Sequence, residues 1–501
     1  MAVLPRNKDY YEIQFSKPDI NVFIEESSMP MKLYRLINRL DFREFHKKYS
    51  QIGAPSYPAE DMLAIIMMAF SEGIFSSREI EKKCKRDIYY MFITEQRKPD
   101  HSTIARFIQK NIKEITTIGT QVITLAQKEK VAAFSEIAID GSKFASASSK
   151  KHSMRSEQIE RYGKYLRKQM EKTLRKLEET DEKETKEIEQ LEKEQKKLRE
   201  KIEKTELAKK ELEERKKLIK DKKDREKHQI NIEETEARMM QPISTNGYNA
   251  QLSVDTQTGL IASQSIVVSR ADNNEFACQH EKTETVLEKD ENRIYIADSG
   301  YVSQTTYEYI RQNNVDAYIN DSREKTRKPS VEELQERNKR LTNYDFTYNK
   351  ETNIYTCPNS QILKQAKEGI YECHGCEGCM LKKLCCIGKD YKRITRTNFS
   401  ELREDMSEKV HRDKEKMNAR KAVERSFGQM KWNLGFRRFS RRGISGAQVE
   451  LDLLALSINM VKMITILSLF FTRMGNRLLV YLTLQKVTLG YRKNIFKEVF
   501  V

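Results

Sequence analysis

The chain has 501 residues, enough for two to four domains. Hydrophobic residues make up 38% and charged residues 33%, so part of it can form a core while another part is heavily solvated. A net charge of +17 suits a polyanionic partner, because a basic face gains affinity by displacing counterions from phosphates. Eight cysteines, most of them between Cys357 and Cys386, are too few and too uneven for a secreted disulfide framework. The run MAVLPRNKDYYEIQF at the start lacks an apolar signal segment. The most apolar stretch, Leu451 to Phe471, is broken by Asp452, Asn459 and Lys462, which makes it a poor membrane span and a good buried helix. A cytoplasmic protein that does not enter a membrane is expected.

From about Leu33 to Val131 the pattern is helical. Pro58 opens a helix that ends near Gly73, Ser76-Ser77-Arg78-Glu79 reads as a capping box, and Asp100-His101-Ser102-Thr103 caps a third helix. Short basic helices of this kind suit a DNA-binding head or a plain helical scaffold. The period then changes. Glu136 to Asp140 reads as a strand ending on an acid, and Gln251 to Asp255, Gly259 and Leu260 to Val268 read as a hairpin. Arg293 to Asp298 is a second strand ending on an acid, followed by a helix through Tyr307 to Ile310 and a strand at Val315 to Ile319. Together these predict a mixed α/β sheet.

A long charged segment, Ile159 to about Met240, separates the first strand from the hairpin. Alternating steps of three and four from Met170 pass through Leu174, Leu177, Ile188, Leu191, Leu198, Ile202 and Leu212, with polar residues at Asp181, Glu184, Gln195, Thr205 and Lys209. This is a heptad seam with a polar gap near Thr180 to Thr185. It predicts a coiled-coil projection, paired between protomers or folded back as an antiparallel hairpin; a single solvated helix is the other reading.

Phosphodiester chemistry needs a Lewis acid at the attacking and the leaving oxygen, supplied by two Mg²⁺ ions about 4 Å apart. Such ions take oxygen ligands, and carboxylates at the ends of rigid strands hold them in place. Asp140 and Asp298 each end a predicted strand and are followed by small residues. In the run Arg420 to Lys431, helical steps of four and seven bring Arg420, Glu424 and Lys431 to one face. There the carboxylate can bind metal while the cations hold phosphates. Taken singly, a strand-end Asp is often a turn residue and a Glu among cations a surface ion pair. Asp255, the nearest other acid, is read as a hairpin-turn residue.

This ordered set resembles a DDE-type insertion-sequence transposase with an RNase H-like core, in the branch marked by Tyr-x2-Arg-x3-Glu-x6-Lys. Arg420, Glu424 and Lys431 match that spacing, and Met417 stands where the Tyr is expected. Asp140-Gly141-Ser142-Lys143, Tyr248 to Gln251 and Ala297 to Tyr301 resemble the family's strand motifs, and the likeness covers roughly residues 30 to 465. It implies Asp140, Asp298 and Glu424 as catalytic metal ligands for Mg²⁺ or Mn²⁺. The implied partners are double-stranded DNA, as terminal inverted repeats and target, and further copies of the chain, at least a dimer. The protein would then act near a bacterial nucleoid. The alternative is a catalytically inactive, transposase-derived DNA-binding protein.

Cys373-x2-Cys376-x2-Cys379-x5-Cys385 has spacing suited to a structural Zn²⁺, with Cys357 as a possible substitute and Cys386 or His374 as spares. An iron–sulfur cluster fits less well because the usual continuation after the third Cys is missing, and free thiols in a loop are the plain reading. Arg437, Arg438, Arg441 and Arg442, with Phe436 and Phe439, form a basic patch suited to phosphate tracking or a solvated loop. Trp432 is expected in the core. The resulting division is a helical domain (1–132) and a catalytic core (133–153, 241–325 and 401–471). A coiled-coil insertion (154–240), a cysteine-rich insertion (326–400) and a tail of unassigned role (472–501) complete it. Leu451 to Phe471 is expected to cover the sheet.

Overall fold

The computed structural model describes residues 23–48, 56–179, 185–219, 221–321, 328–386 and 388–488. The start of the chain, the polar gap at 180–184, the boundary expected at 325–326 and residues 489–501 lie outside these. The chain divides into two compact units: Met1–Val131 with Asn433–Phe436 and Asp452–Val501, and Ala132–Trp432 with Arg437–Leu451.

The first unit is helical, with α1 (Met29–Ile37), α2 (Ala59–Ser71), α3 (Ser77–Arg86), α4 (His101–Lys110) and α5 (Ile112–Lys128). In α2 every side chain from Met62 to Phe70 is buried, as an all-round apolar helix requires. Pro58 stands at its N-cap. Asp100 caps α4 by accepting from the Thr103 N–H at 2.6 Å. The capping box expected at Ser76 does not form: Ser76 occupies the N-cap without a side-chain bond, and Glu79 turns to Lys82 at 2.7 Å. The C-terminal helix, Gly443–Thr488, contributes to this unit from Asp452 onward. There Asp452 accepts from Thr116 at 2.7 Å and the buried Ser457 donates to the Met67 carbonyl at 3.2 Å. The stretch expected to cover the sheet thus builds the helical unit's core. Gly443–Leu469 is long and apolar enough to cross a membrane, but most of its apolar window is buried within the protein, as in a core helix.

In the second unit the sheet comprises β1 (Glu136–Ala145), β2 (Thr245–Asp255), β3 (Ile261–Val267), β4 (Ile294–Ala297) and β5 (Asp316–Ile319). Their order is β3-β2-β1-β4-β5, and a short strand, Arg238–Met240, shares the outer edge of β2. Strands β1 to β3 are antiparallel neighbours, whereas β4 and β5 continue parallel to β1. Strand β1 outruns its predicted end because Gly141 to Ala145 go on pairing with β2. Its parallel pairing with β4 stops at Ile139 opposite Ala297. Asp140 and Asp298 are therefore the next residues on neighbouring strands. Asp255 accepts from the Thr258 N–H and hydroxyl at 2.8 and 2.6 Å, the hairpin-turn role expected of it.

The charged segment forms α6 (Ser156–Glu179) and α7 (Thr185–Leu218), packed as an antiparallel pair. Glu160 meets Lys209, and Arg167 meets Glu206. The predicted seam holds along α7, where Leu191, Leu198, Thr205 and Leu212 are buried, and slips by one residue at two places: Thr173 is buried in place of Leu174, and Ala208 in place of Lys209, which reaches across to Glu160. Folding back, rather than lying flat along a partner, sets which stripe is covered. Helices α8 (Phe276–Val286) and α9 (Gln304–Gln312) follow the hairpin and β4.

The cysteine-rich region is a five-stranded antiparallel meander, β6 (Thr347–Asn349), β7 (Ile354–Thr356), β8 (Ile362–Lys367), β9 (Ile370–Cys373) and β10 (Lys392–Thr395). It has its own apolar cluster around Leu341, Phe346, Tyr355, Leu363, Tyr371 and Ile394. Helices α10 (Asn398–Arg412) and α11 (Lys421–Gly428) lead back to the sheet, and α11 packs on β1 and β2.

Candidate active site

The end of the parallel β1–β4 pair carries two of the three predicted acids side by side. The Gly141 N–H donates to Asp140 Oδ1 at 2.8 Å. Burial, then the charges of Asp298 and Asp272, push the Asp140 carboxyl up to about 7, against the pull of the Gly141 bond and Arg420. Asp298 caps the short turn Ser299–Tyr301, its Oδ1 accepting from the Gly300 N–H at 2.8 Å.

Glu424 sits on α11, and Arg420 joins it to the strands. One guanidinium nitrogen lies 2.8 Å from Glu424 Oε1 and another 3.4 Å from Asp298 Oδ2. The predicted i,i+4 pair is present. Lys431, however, lies beyond the α-helix, which widens into a π-helical turn over Gln429–Asn433. Regular 3.6-residue spacing therefore does not carry it to the Glu424 face. Its ammonium instead donates to Ser142 Oγ at 2.7 Å and to the Lys143 carbonyl at 3.0 Å, two and three residues beyond Asp140. Burial and the nearby Lys143 pull that ammonium below its usual range. Met417 stands in the 3₁₀ turn Lys414–Arg420.

The opposite face of the strands holds a polar network that the sequence reading missed. Asp272 accepts from Lys143, Asn249 and Gln251, and the buried Tyr301 hydroxyl donates to Gln251. Lys143, Asn249, Gln251 and Tyr301 lie inside the motifs quoted above, but only strand alternation shows that they share a face. Asp272 has no sequence signal: it lies on a loop between β3 and α8.

The basic patch is less uniform than its sequence. Arg437 stacks over the Trp432 ring at 4.2 Å, and Arg438 is exposed. Arg441 faces the buried Glu450 at 3.8 Å, and Arg442 pairs with Glu233 at 2.8 Å. Phe439 is buried against Phe144 and Tyr248, so it is a core residue. Trp432, expected in the core, is 71% exposed, because the π-helical turn carries it outward.

Cys357, Cys373, Cys376, Cys379, Cys385 and Cys386 all line one cavity beside the meander. Cys357 follows β7 rather than lying on a strand, and its sulfur accepts from the Gln361 N–H at 3.2 Å. The Cys373 and Cys376 sulfurs are 3.8 Å apart. Burial pushes the Cys373 thiol up to about 11, Cys386 up to about 12, and Cys385 upward as well. Among the described residues no group of three or more His, Cys, Asp or Glu side chains stands ready to hold an ion. Around the three acids, the Arg420 guanidinium stands between Asp298 and Glu424; in the cysteine cavity, burial disfavours the thiolate at Cys373 and Cys385.

Two family models match the chain: a transposase domain (DUF772) over residues 20–110 and a transposase DDE domain over residues 348–464. No curated protein and no solved structure matches it. The first match covers the helices from α1 to α4, and the second runs from the meander through Glu424 into the C-terminal helix. Both matches support an insertion-sequence transposase of the DDE type.

Proposed function

We propose that the protein binds the ends of its insertion sequence, cleaves them hydrolytically and joins the freed 3′-hydroxyl to target DNA. The observation that carries this reading is the placement of Asp140 and Asp298 one residue past the last parallel pair, with Arg420 linking Asp298 to Glu424. The strand order supports an RNase H-like core. The donor set is all oxygen, and the charge on Asp140 is disfavoured by burial and by neighbouring acids, a penalty that a hard divalent cation relieves. Asp140, Asp298 and Glu424 would hold Mg²⁺ or Mn²⁺. When bound, two such ions supply Lewis acidity at the attacking and leaving oxygens.

Arg420 neutralises Asp298 and Glu424 until they take up a cation, and is then free to hold a phosphate. Lys431, seated beside Asp140, contacts the same backbone, and Arg437, Arg438, Arg441 and Arg442 extend the phosphate track. Water attacks phosphorus and the P–O3′ bond breaks, leaving a 3′-hydroxyl and a 5′-phosphate. That hydroxyl then attacks a target phosphorus and displaces the target's own 3′-oxygen. The helical unit contacts terminal-repeat DNA, and at least two copies act together in the cytoplasm. A structural Zn²⁺ on Cys373, Cys376, Cys379 and Cys385, with Cys357 as substitute, would staple the meander; the shared cavity and its all-sulfur donors support this. Purified protein with cognate ends and Mg²⁺ is expected to nick them, and Asp298→Ala to abolish nicking. Undiminished cleavage by that variant would remove the assignment.

A further inference from the structure

Antiparallel register places Gly141 opposite Gln251 and Lys143 opposite Asn249. Because successive side chains alternate, these four face away from Asp140. Asp272 sits at the centre of that face. Its Oδ1 accepts from Asn249 Nδ2 at 2.6 Å and Gln251 Nε2 at 2.7 Å, and the Lys143 ammonium lies 3.1 and 3.2 Å from its two oxygens.

The loop bearing Asp272 is pressed against the strand that carries Asp140 and the turn that Asp298 caps. A Cβ on Gly141 would collide with Asp272 Oδ1 and Gln251 Nε2, and one on Gly300 would stand 2.8 Å from Asp298 Oδ1 and 3.7 Å from Asp272 Oδ2. Asn249 is fully buried, and its Oδ1, 3.0 Å from the place of that first Cβ, has no hydrogen-bond partner among the described residues. The Lys143 side chain is only 11% exposed, so solvent screens its charge poorly.

We propose that Asp272 is a positioning residue that ties Lys143 to the back of the sheet and so leaves Asp140 and Asp298 open to a cation. This rests on the metal-binding role given to those two acids above. Without Asp272 the ammonium loses the carboxylate that it bonds, and Glu275, whose charge it also feels, is left as the nearby acid on that side. Gly141 has no side chain to separate the ammonium from Asp140 and Asp298. The ammonium then pairs with them and competes with a divalent ion for the same oxygens.

The test is calorimetric titration of the full-length protein with Mn²⁺ alone, without DNA, in the wild type, Asp272→Asn, Lys143→Met and the double variant. Asp272→Asn keeps an acceptor for Asn249 and Gln251 but loses the charge. It is expected to weaken Mn²⁺ binding by about tenfold or more, as losses of supporting partners around a metal do. Lys143→Met should bind at least as tightly as wild type, and the double variant should recover most of the lost affinity. A merely structural role would give no such recovery. Wild-type affinity in Asp272→Asn, or a double variant as weak as Asp272→Asn, overturns the proposal. If Asp272→Asn does not fold, weakened binding by Lys143→Met overturns it alone. Asp140→Asn separates the two readings: Mn²⁺ binding that survives there sinks the site assignment itself, whatever Asp272→Asn does.

Discussion

Asp140 holds its proton to about 7, with burial the largest cause and Asp298 the next, whereas an unfolded chain releases it near the ordinary value of about 3.9. Between those values the folded state binds more protons than the unfolded state, so stability falls as pH rises. The metal-free protein is therefore expected to melt at progressively lower temperature from about pH 4 to about pH 7. Asp140→Asn should flatten that slope, and a thermal melt series with unchanged slope in the variant would exclude Asp140 as its source. Added Mg²⁺ should stabilise the wild type most at the upper end of the window, where the proton no longer competes with the cation. Asp298 and Glu424 share Arg420. Truncating Arg420 thus leaves both carboxylates without that partner and changes the site's charge before any substrate arrives.

At the scale of elements, the meander has an apolar cluster of its own, and its six cysteines gather at one cavity. Cys373 ends β9 and Cys376 follows three residues on, and their sulfur separation of 3.8 Å suits two corners of a tetrahedral thiolate site. Elemental analysis of protein purified without chelator is expected to find zinc, lost in Cys373→Ser and Cys376→Ser. Chelation should lower the melting temperature of wild type and leave those variants unmoved. Metal-free wild type with an unchanged melt would leave the cavity as a cluster of packed thiols. The π-helical turn after α11 matters in a similar way. It takes Lys431 to the backbone beside Asp140 and turns Trp432 out to solvent, where a regular helix would place both differently.

Across the whole molecule, the charge of +17 bears on affinity for DNA more than on fold. Binding of terminal-repeat duplex should weaken linearly in log–log plots against salt, with a slope of about −0.9 per phosphate contacted. Replacing Arg437 and Arg438 should make the slope shallower, and an unaltered slope would remove them from the phosphate track. Much of the site was legible in the chain itself. The strands that carry Asp140 and lead to Asp298, though not the end of the first, and the Arg420–Glu424 pair follow from short-range periodicity, which a linear sequence records directly. So do the Asp100 cap and the Asp255 turn. The failures share a different cause. The capping box at Ser76 was lost to a competing Lys82, the hairpin seam slipped by one residue at Thr173 and Ala208, and the apolar stretch after Asp452 found its partners among the N-terminal helices. Asp272 carries no motif, yet a cross-strand register and two side-chain-free glycines seat it behind both acids. Local pattern determined which residues could carry the chemistry. Tertiary packing alone decided which charges face one another, because burial and distance set electrostatic interactions and neither is written along the chain.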